Sequence, residues 1–525
     1  MEFVTDPSIA TKILKMRQRV RWGEQAIVER DIDQTRLVLD DKQEDRPEFS
    51  FLVLGDSGSG AHRGHNPQRR IAEQMVQQRD DCRFVLHTGD VVYLTGSSTF
   101  YPPNFIEPYR EFLVGGNDHK HIAYDRMVFN LPFLPIPGNH DYYDMSVFFG
   151  VLSQITIPLR RLLRSRLDLD VSWRGSMQGN AYARAFLDYL KAYQPGAELE
   201  RHLDQHYTAK TETGRCLSYQ PGRFTRLPNR YYTFRSGGID FFALDSNTIN
   251  APIALPKNPA GDQYRRQLEQ QRTDIDNQIQ EILLTLTKLK PDDPDDAERM
   301  DDLHAKLEQL TEVTQDITKQ LASDETTETD SEQMAWLEKR LIESWHTDAV
   351  RGRVLFFHHP PYVTEATKWR QAQTLAVRDR LRQVLNAVAR AVGDRTGDRP
   401  VVDLVLNGHA HCLEYLRTAD TGHADANTNW IICGGSGFSL RRQREEGANV
   451  TEWLGRSGAA SETVVAKSEL FVGRSGQGSH RRRPYSFLRI DVQEGTPPKF
   501  VVRPFIAERY QKSWNDYTLD PFVIG

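Results

Sequence analysis

The chain has 525 residues, 38% of them hydrophobic and 10% aromatic, with a formal net charge of -5. That length and apolar content support a substantial core, and the modest charge excludes the strong basic field of a nucleic-acid or membrane-surface binder. The four cysteines (Cys82, Cys216, Cys412 and Cys433) are scattered and include no C-x-x-C pair, which excludes a disulfide framework and a zinc knuckle and suits a reducing compartment.

Residues 1–48 read as a polar, helix-prone leader ending in "DDKQEDRPEF", without the apolar core of a signal peptide. No apolar run approaches the roughly 18 residues of a membrane span, so a cytoplasmic protein is expected. From Phe49 to the end, residues 49–525 read as one body in which short apolar strands alternate with helical patterns. "FSFLVLGD" precedes the helix "NPQRRIAEQMVQQ" and the strand "RFVLHTGD". "LPFLPIPGNHD", "IDFFALDSN", "GRVLFFHHPP" and "VVDLVLNGHAH" follow. The alternation predicts an α/β sheet, whose functional groups gather beyond the carboxyl ends of its strands.

Two segments interrupt the rhythm. Residues 144–222 mix Arg-rich and aromatic helical patterns with polar loops and read as an insertion. Within 258–330, apolar residues recur at Leu268, Ile275, Ile279, Ile282, Leu286 and Leu289. After the breaker "KPDDPDD" they resume at Leu303, Leu307, Leu310, Val313, Ile317 and Leu321. Three- and four-residue steps on both sides of a Pro/Asp turn predict an antiparallel helical hairpin with a coiled-coil seam. It is either a solvated arm or a surface for interaction or self-association, through which a homo-oligomer would form.

The stretch "LVLGDSGSGAHRG" invites a phosphate-loop reading. It has neither the closing Lys-Ser/Thr of a P-loop nor the glycine spacing of a dinucleotide fingerprint, so Asp56 becomes the residue to explain. Five strand-end clusters occur in order: "GDSG" (55–58), "GDVVY" (89–93), "GNHD" (138–141), "HHPP" (358–361) and "GHAH" (408–411). Singly, each has an ordinary role in capping or turning the chain. Together they place two carboxylates, an amide, several imidazoles and a phenol on one rim of one sheet. That mixed oxygen and nitrogen set suits iron, manganese or zinc rather than calcium, and its size suits two ions rather than one. His62, Arg63 and His65, and the basic run "SHRRRPYSF", are read as solvated loop. The turn "IICGGSGFS" would let backbone pass close to the site.

The ordered set resembles the calcineurin-like metallophosphoesterase superfamily and, within it, the purple acid phosphatase branch, over roughly residues 49 to 500. The superfamily usually opens with D-x-H, whereas Asp56-Ser57-Gly58 lacks the histidine. The purple acid phosphatase branch has D-x-G there and supplies the missing donor from the Tyr of G-D-x-x-Y, present here as Tyr93. The resemblance implies a four-layer α/β/β/α metallophosphoesterase sandwich with helical insertions. It further implies one metal on Asp56, Asp90, Tyr93 and His411, expected to be Fe3+. A second, divalent ion (Fe2+, Zn2+ or Mn2+) would sit on Asp90, Asn139, His358 and His409, with Asp90 bridging. His358 rather than His359 is the expected ligand, which leaves His359 near substrate. Asn139 and His140 would contact phosphate, His140 would protonate the leaving oxygen, and Asp141 would orient His140.

The expected activity is hydrolysis of small-molecule phosphate esters by a metal-bound hydroxide, as in an acid phosphatase. Three alternatives stay open: a phosphodiesterase or nuclease on the same metals, a zinc or manganese centre with Tyr93 unligated, and a non-enzymatic protein whose hairpin is the working part. A nucleic-acid partner is not expected, nor is a membrane.

Overall fold

The computed structural model describes all residues except 1–3, 43–44, 59–65, 146–174, 291–293, 455–460 and 478–479. His62, Arg63 and His65 therefore lie outside the described residues, as does much of the 144–222 insertion.

The apolar runs that precede the polar clusters become two stacked sheets. In the first, Phe49–Leu54 lies parallel to Cys82–His87, and Cys82–His87 parallel to Phe133–Pro135. Every residue of the first two strands is buried, as their uninterrupted apolar runs require of parallel strands covered on both faces. Arg482–Gln493, Lys499–Tyr510 and Ser513–Thr518 extend this sheet antiparallel from Phe49–Leu54. The second sheet is built on four parallel strands, Ile239–Ala243, Gly352–Phe357, Leu404–Asn407 and Asn429–Cys433. Antiparallel partners flank them on both sides.

An aromatic cluster joins the sheets. Phe51 stacks on Phe84 at 5.1 Å between ring centroids, and both meet Phe241 of the second sheet edge-on, at 5.6 and 5.2 Å. Outside the first sheet lies the helix Pro67–Gln78, started by Asn66, whose side chain accepts from the Arg69 N–H. Outside the second lie Ser331–Trp345 and Ala372–Val392. The Trp345 indole N–H donates to the Val401 carbonyl (3.1 Å), and the Arg353 guanidinium donates to the Ser344 carbonyl (2.9 Å). The layers are therefore α/β/β/α, as expected.

The segment before Phe49, expected as a helical leader, holds the helix Ile9–Arg19 and also a strand. That strand, Ile32–Leu39, joins the second sheet parallel to Gly214–Tyr219. Its apolar run is only three residues long and bounded by charge, so no period-2 signal stands out, and pairing with a distant strand decides its conformation. The basic run at 479–487, expected as loop, is strand from Arg482 onward. The described part of the 144–222 insertion includes the helices Asn180–Phe186 and Ala197–His206.

The helical hairpin consists of Pro259–Leu286 and Pro294–Ala322, which bury Leu268, Ile275, Leu310 and Ile317 in a cluster of their own. Its second helix does not stand clear of the body. The Asp316 carboxylate accepts from the Ala372 and Gln373 N–H groups (2.8 and 3.2 Å), satisfying the start of the helix Ala372–Val392. Lys319 pairs with Asp6 at 2.7 Å. Among the described residues no helix is long and apolar enough to cross a membrane.

Candidate metal centre

Each candidate donor follows the carboxyl end of a parallel strand. Asp56, Asp90 and Asn139 follow Leu54, His87 and Pro135 of the first sheet; His358 and His409 follow Phe357 and Asn407 of the second. Asp56, Asp90 and His409 have φ of 53°, 55° and 66°. Such backbone is costly for residues other than glycine and persists where surrounding bonds hold it. The Asp56 N–H donates to the Gly89 carbonyl (3.0 Å) and the His409 N–H to Asp56 Oδ2 (2.8 Å), tying the two sheets together at the rim.

The structure brings all seven donors together and buries every one of them. Asp56, Asp90 and His358 offer ligand atoms within 4.8 Å of one another. The Tyr93 hydroxyl lies 2.8 Å from Asp56 Oδ1 and 2.7 Å from Asp90 Oδ2, with His411 Nε2 at 3.3 Å. Asn139 Oδ1 lies 2.9 Å from both His358 Nε2 and His409 Nδ1. His358 Nδ1 faces the Thr88 carbonyl at 2.8 Å, and His411 Nδ1 faces the Ser439 carbonyl at 3.0 Å. A carbonyl behind Nδ1 fixes its proton and aims Nε2 inward, as in metal sites. His409 Nε2 is buried and has no hydrogen-bond partner among the described residues.

The electrostatics ask for cations. Burial, and then Asp90's charge, push the Asp56 carboxyl well above its usual range. Asp90 stays below its own range because His358 and His140 outweigh its burial. Burial opposes protonation of His358, yet Asp90 and Asp56 lift it to about 9. His411 is pushed down to about 3 by burial and then by Arg441, and burial holds His409 well below its ordinary value. Burial, with the two carboxylates, raises the Tyr93 phenol well above its ordinary range. Two carboxylates sharing one phenol in a dry site are unfavourable without compensating positive charge. The imidazole of His411, kept neutral by its lowered pKa, and the Nε2 of His409, unpartnered among the described residues, are lone-pair donors. The residues present therefore fit metal ions.

The remaining expectations fare differently. His140 lies at the rim: its N–H donates to Asp90 Oδ1 (2.9 Å), and its Nδ1 lies 2.6 Å from the Leu94 carbonyl. Asp141 does not reach the imidazole. Its carboxylate instead accepts from the Gly138, Asp90 and Val91 N–H groups, so it shapes the turns that carry two donors and leaves the orienting of His140 to a backbone carbonyl. Burial and Asp90 push its pKa to about 8 against those bonds. His359 is occupied on both sides, Nδ1 by the Ser246 hydroxyl (2.8 Å) and Nε2 by the Asn250 amide (3.2 Å). Those bonds leave neither ring nitrogen for a substrate, against the expected contact.

Two parts of the site went unread in the sequence. One is the set of carbonyls of Thr88, Leu94 and Ser439, which no side-chain motif marks. The other is Phe438, which stacks face to face on Tyr93 at 3.8 Å. Its only signal is its place in the glycine turn after Cys433, a turn that approaches the site closely. A Cβ on Gly434 would lie 2.1 Å from the Ala410 carbonyl oxygen.

No family model and no curated protein matches the sequence. Among solved structures, purple acid phosphatase PPD1 from yellow lupin (Lupinus luteus) seeds aligns at 12% identity and a TM-score of 0.39, over 91% of this chain and 53% of that one. The chain thus spans about half the length of the lupin protein. GAP50, the anchor in the inner membrane complex of Plasmodium, aligns at 11% identity and 0.36, over 90% and 88% of the two chains. PhoD aligns at 10% identity and 0.38, over 91% and 70%. These likenesses are remote, and the reading of the site rests on its own geometry. The layers and the parallel strands that carry the candidate donors are those of an α/β/β/α sandwich.

Proposed function

We propose that the chain is a dinuclear-metal hydrolase of phosphate esters, resembling the purple acid phosphatases. The carrying observation is the convergence of seven buried candidate donors from both sheets, with Tyr93 between Asp56 and Asp90 and His409 Nε2 unpartnered among the described residues. Asp56, Asp90, Tyr93 and His411 would hold one ion; Asp90, Asn139, His358 and His409 the other. The phenol is a hard donor that favours Fe3+ at the first position, beside a divalent ion at the second. When bound, such ions neutralise phosphoryl oxygens and acidify water.

The chain's own groups supply the rest. Thr88 and Ser439 keep the imidazoles of His358 and His411 aimed at the centre. The Leu94 carbonyl holds a proton on His140 Nδ1, so that Nε2 is the atom that meets the leaving oxygen. Burial lowers the His140 pKa, so its proton-donating form grows toward acid pH. The four cysteines are buried and unpaired, in keeping with a reducing compartment such as the cytoplasm.

The test is elemental analysis of the purified protein, its visible spectrum, and a panel of aryl monoesters, diesters and nucleotides. Two metals per chain, a phenolate-to-iron absorption band and monoester turnover are expected. A protein that takes up no metal, or that is metal-loaded and inert on the whole panel, would refute the proposal.

A further inference from the structure

Against the two imidazoles assigned to the divalent ion lies a third that is outside the ligand set. His359 packs its ring 5.1 Å from that of His358 and 4.4 Å from that of His409, which are themselves 5.0 Å apart between centroids. His359 is buried and held at three points. Its backbone N–H donates to Ser246 Oγ (3.0 Å), its Nδ1 lies 2.8 Å from the same hydroxyl, and the Asn250 amide donates to its Nε2 (3.2 Å). A ring bonded at both nitrogens is not free to turn, so it forms a fixed wall against His358 and His409.

That wall is held from the hairpin. The Asn250 amide also donates to Gln373 Oε1 (3.1 Å), and Gln373 Nε2 donates to Gln371 Oε1 (3.2 Å), which sets the orientation of the Gln373 amide. The Gln373 N–H donates to Asp316 Oδ1 on the second hairpin helix, Pro294–Ala322 (3.2 Å). The same helix reaches the Asn250 loop again, where Gln320 Nε2 donates to the Ile253 carbonyl (2.7 Å). Asn250, Gln373, Asp316 and Gln320 are all buried. An unbroken line of hydrogen bonds thus runs from the hairpin to His359 and ends in ring contact with His358 and His409. An apolar side chain could fill the place of His359 with no polar partner. A histidine there buries Ser246, Asn250 and Gln373 with it, each costly unless bonded, and a satisfied buried network holds its members in one geometry. Lys319 on Asp6 and Glu312 on Lys368, both at 2.7 Å, already anchor the helix apart from this line.

We propose that His359 is a positioning residue for the divalent ion, set from the hairpin through Asp316, Gln373 and Asn250. Docking of the hairpin then governs how tightly the second ion is held, because both imidazoles that His359 packs against are assigned to that ion. The proposal rests on reading the rim as a two-ion centre.

The test is dialysis of the full chain, loaded with Fe3+ and Zn2+, against a graded series of chelator concentrations. Elemental analysis follows zinc, and the phenolate absorption band follows iron. His359→Phe and Asn250→Ala should each weaken zinc retention about tenfold, the effect of losing support behind a metal ligand, with the band unchanged. Asp316→Ala should weaken it about fivefold, as expected of coupling through a packed network. Lys319→Met, which loosens the same helix away from this line, should leave zinc retention as it was. Asn250→Ala carries the test if His359→Phe does not fold. Retention of both ions in these variants, or loss of zinc and band together, would overturn the positioning role and leave His359 a core residue. Equal zinc loss in Lys319→Met and Asp316→Ala would overturn the route from the hairpin. An unaltered chain that takes up no metal would overturn both the centre and its support. A chain inert on every ester but showing the selective zinc loss would overturn the proposed activity and keep the positioning role. Normal ester turnover with unaltered zinc retention in the variants would do the reverse.

Discussion

Tyr93 reaches the two carboxylates because Gly58 has no side chain. A Cβ on Gly58 would lie 2.0 Å from the Val91 carbonyl oxygen and 2.4 Å from Val92 Cα, the backbone that leads into Tyr93. Gly58→Ala should therefore push the Tyr93 segment outward, costing about 1–3 kcal/mol in a denaturant melt and lowering metal content. Tyr93→Phe separates the donor from the fold: the stacking on Phe438 survives while the hydroxyl between Asp56 and Asp90 is lost. The expected result is a folded protein without the phenolate-to-iron band, read by absorbance; a band that persists would remove Tyr93 from the centre. His140→Ala should cut turnover by about 100-fold or more with metal content preserved. Asp90→Ala should lose metal and turnover together, since Asp90 meets Tyr93, His358 and the His140 N–H. The residues that converge at the rim were legible in the sequence because most of them are polar residues just beyond the end of an apolar strand. Their supports were not, because Thr88, Leu94 and Ser439 act through carbonyls that every residue carries. Asp141 and His359 show the same limit: their neighbours in sequence suggested their roles, and hydrogen bonds to backbone N–H groups, Ser246 and Asn250 decided otherwise.

The hairpin helices show how an element can be legible while its docking is not. Apolar spacing and the Pro/Asp breaker mark both helices, and Leu268, Ile275, Leu310 and Ile317 form the seam. A Glu between heptad positions, however, reads like any solvated charge, and nothing local in the sequence distinguishes Glu312 from the other charged residues of its helix. Its partners Lys368 and Arg441 come from loops far along the chain. Burial alone would raise the Glu312 carboxyl, but Lys368 and Arg441 outweigh it and hold the group at about 2, below an ordinary value of 4.5. A carboxyl depressed on folding adds stability above its unfolded value and loses it as the pH falls through the folded one. Glu312→Gln should thus be less stable than the unaltered chain by on the order of 2–3 kcal/mol near pH 7. The gap should narrow from about pH 4.5 downward and close toward pH 2. Urea unfolding at a series of pH values measures it, and a gap independent of pH would mean that the ion pair does not stabilise the docked helix.

At the scale of the whole molecule, the donors straddle the sandwich. Asp56, Asp90 and Asn139 belong to the first sheet, His358, His409 and His411 to the second, so bound ions would clamp the rim opposite no covalent link. Away from the rim, the sheets adhere through Phe51, Phe84, Phe234 and Phe241. That contact does not depend on metal, so the chain should fold without ions and gain stability when they bind. Binding to the native state alone adds about 2.7 kcal/mol at a free-ion concentration 100 times the dissociation constant. Spread over the unfolding entropy of a chain this size, that amounts to a rise of about 2–3 °C in Tm. Chelator treatment should lower Tm by the same interval, and added metal should restore it. Asp90→Ala, which removes the one carboxylate assigned to both ions, should be insensitive to either treatment. Equal melting temperatures with and without metal in the unaltered chain would mean that the two sheets do not share an ion.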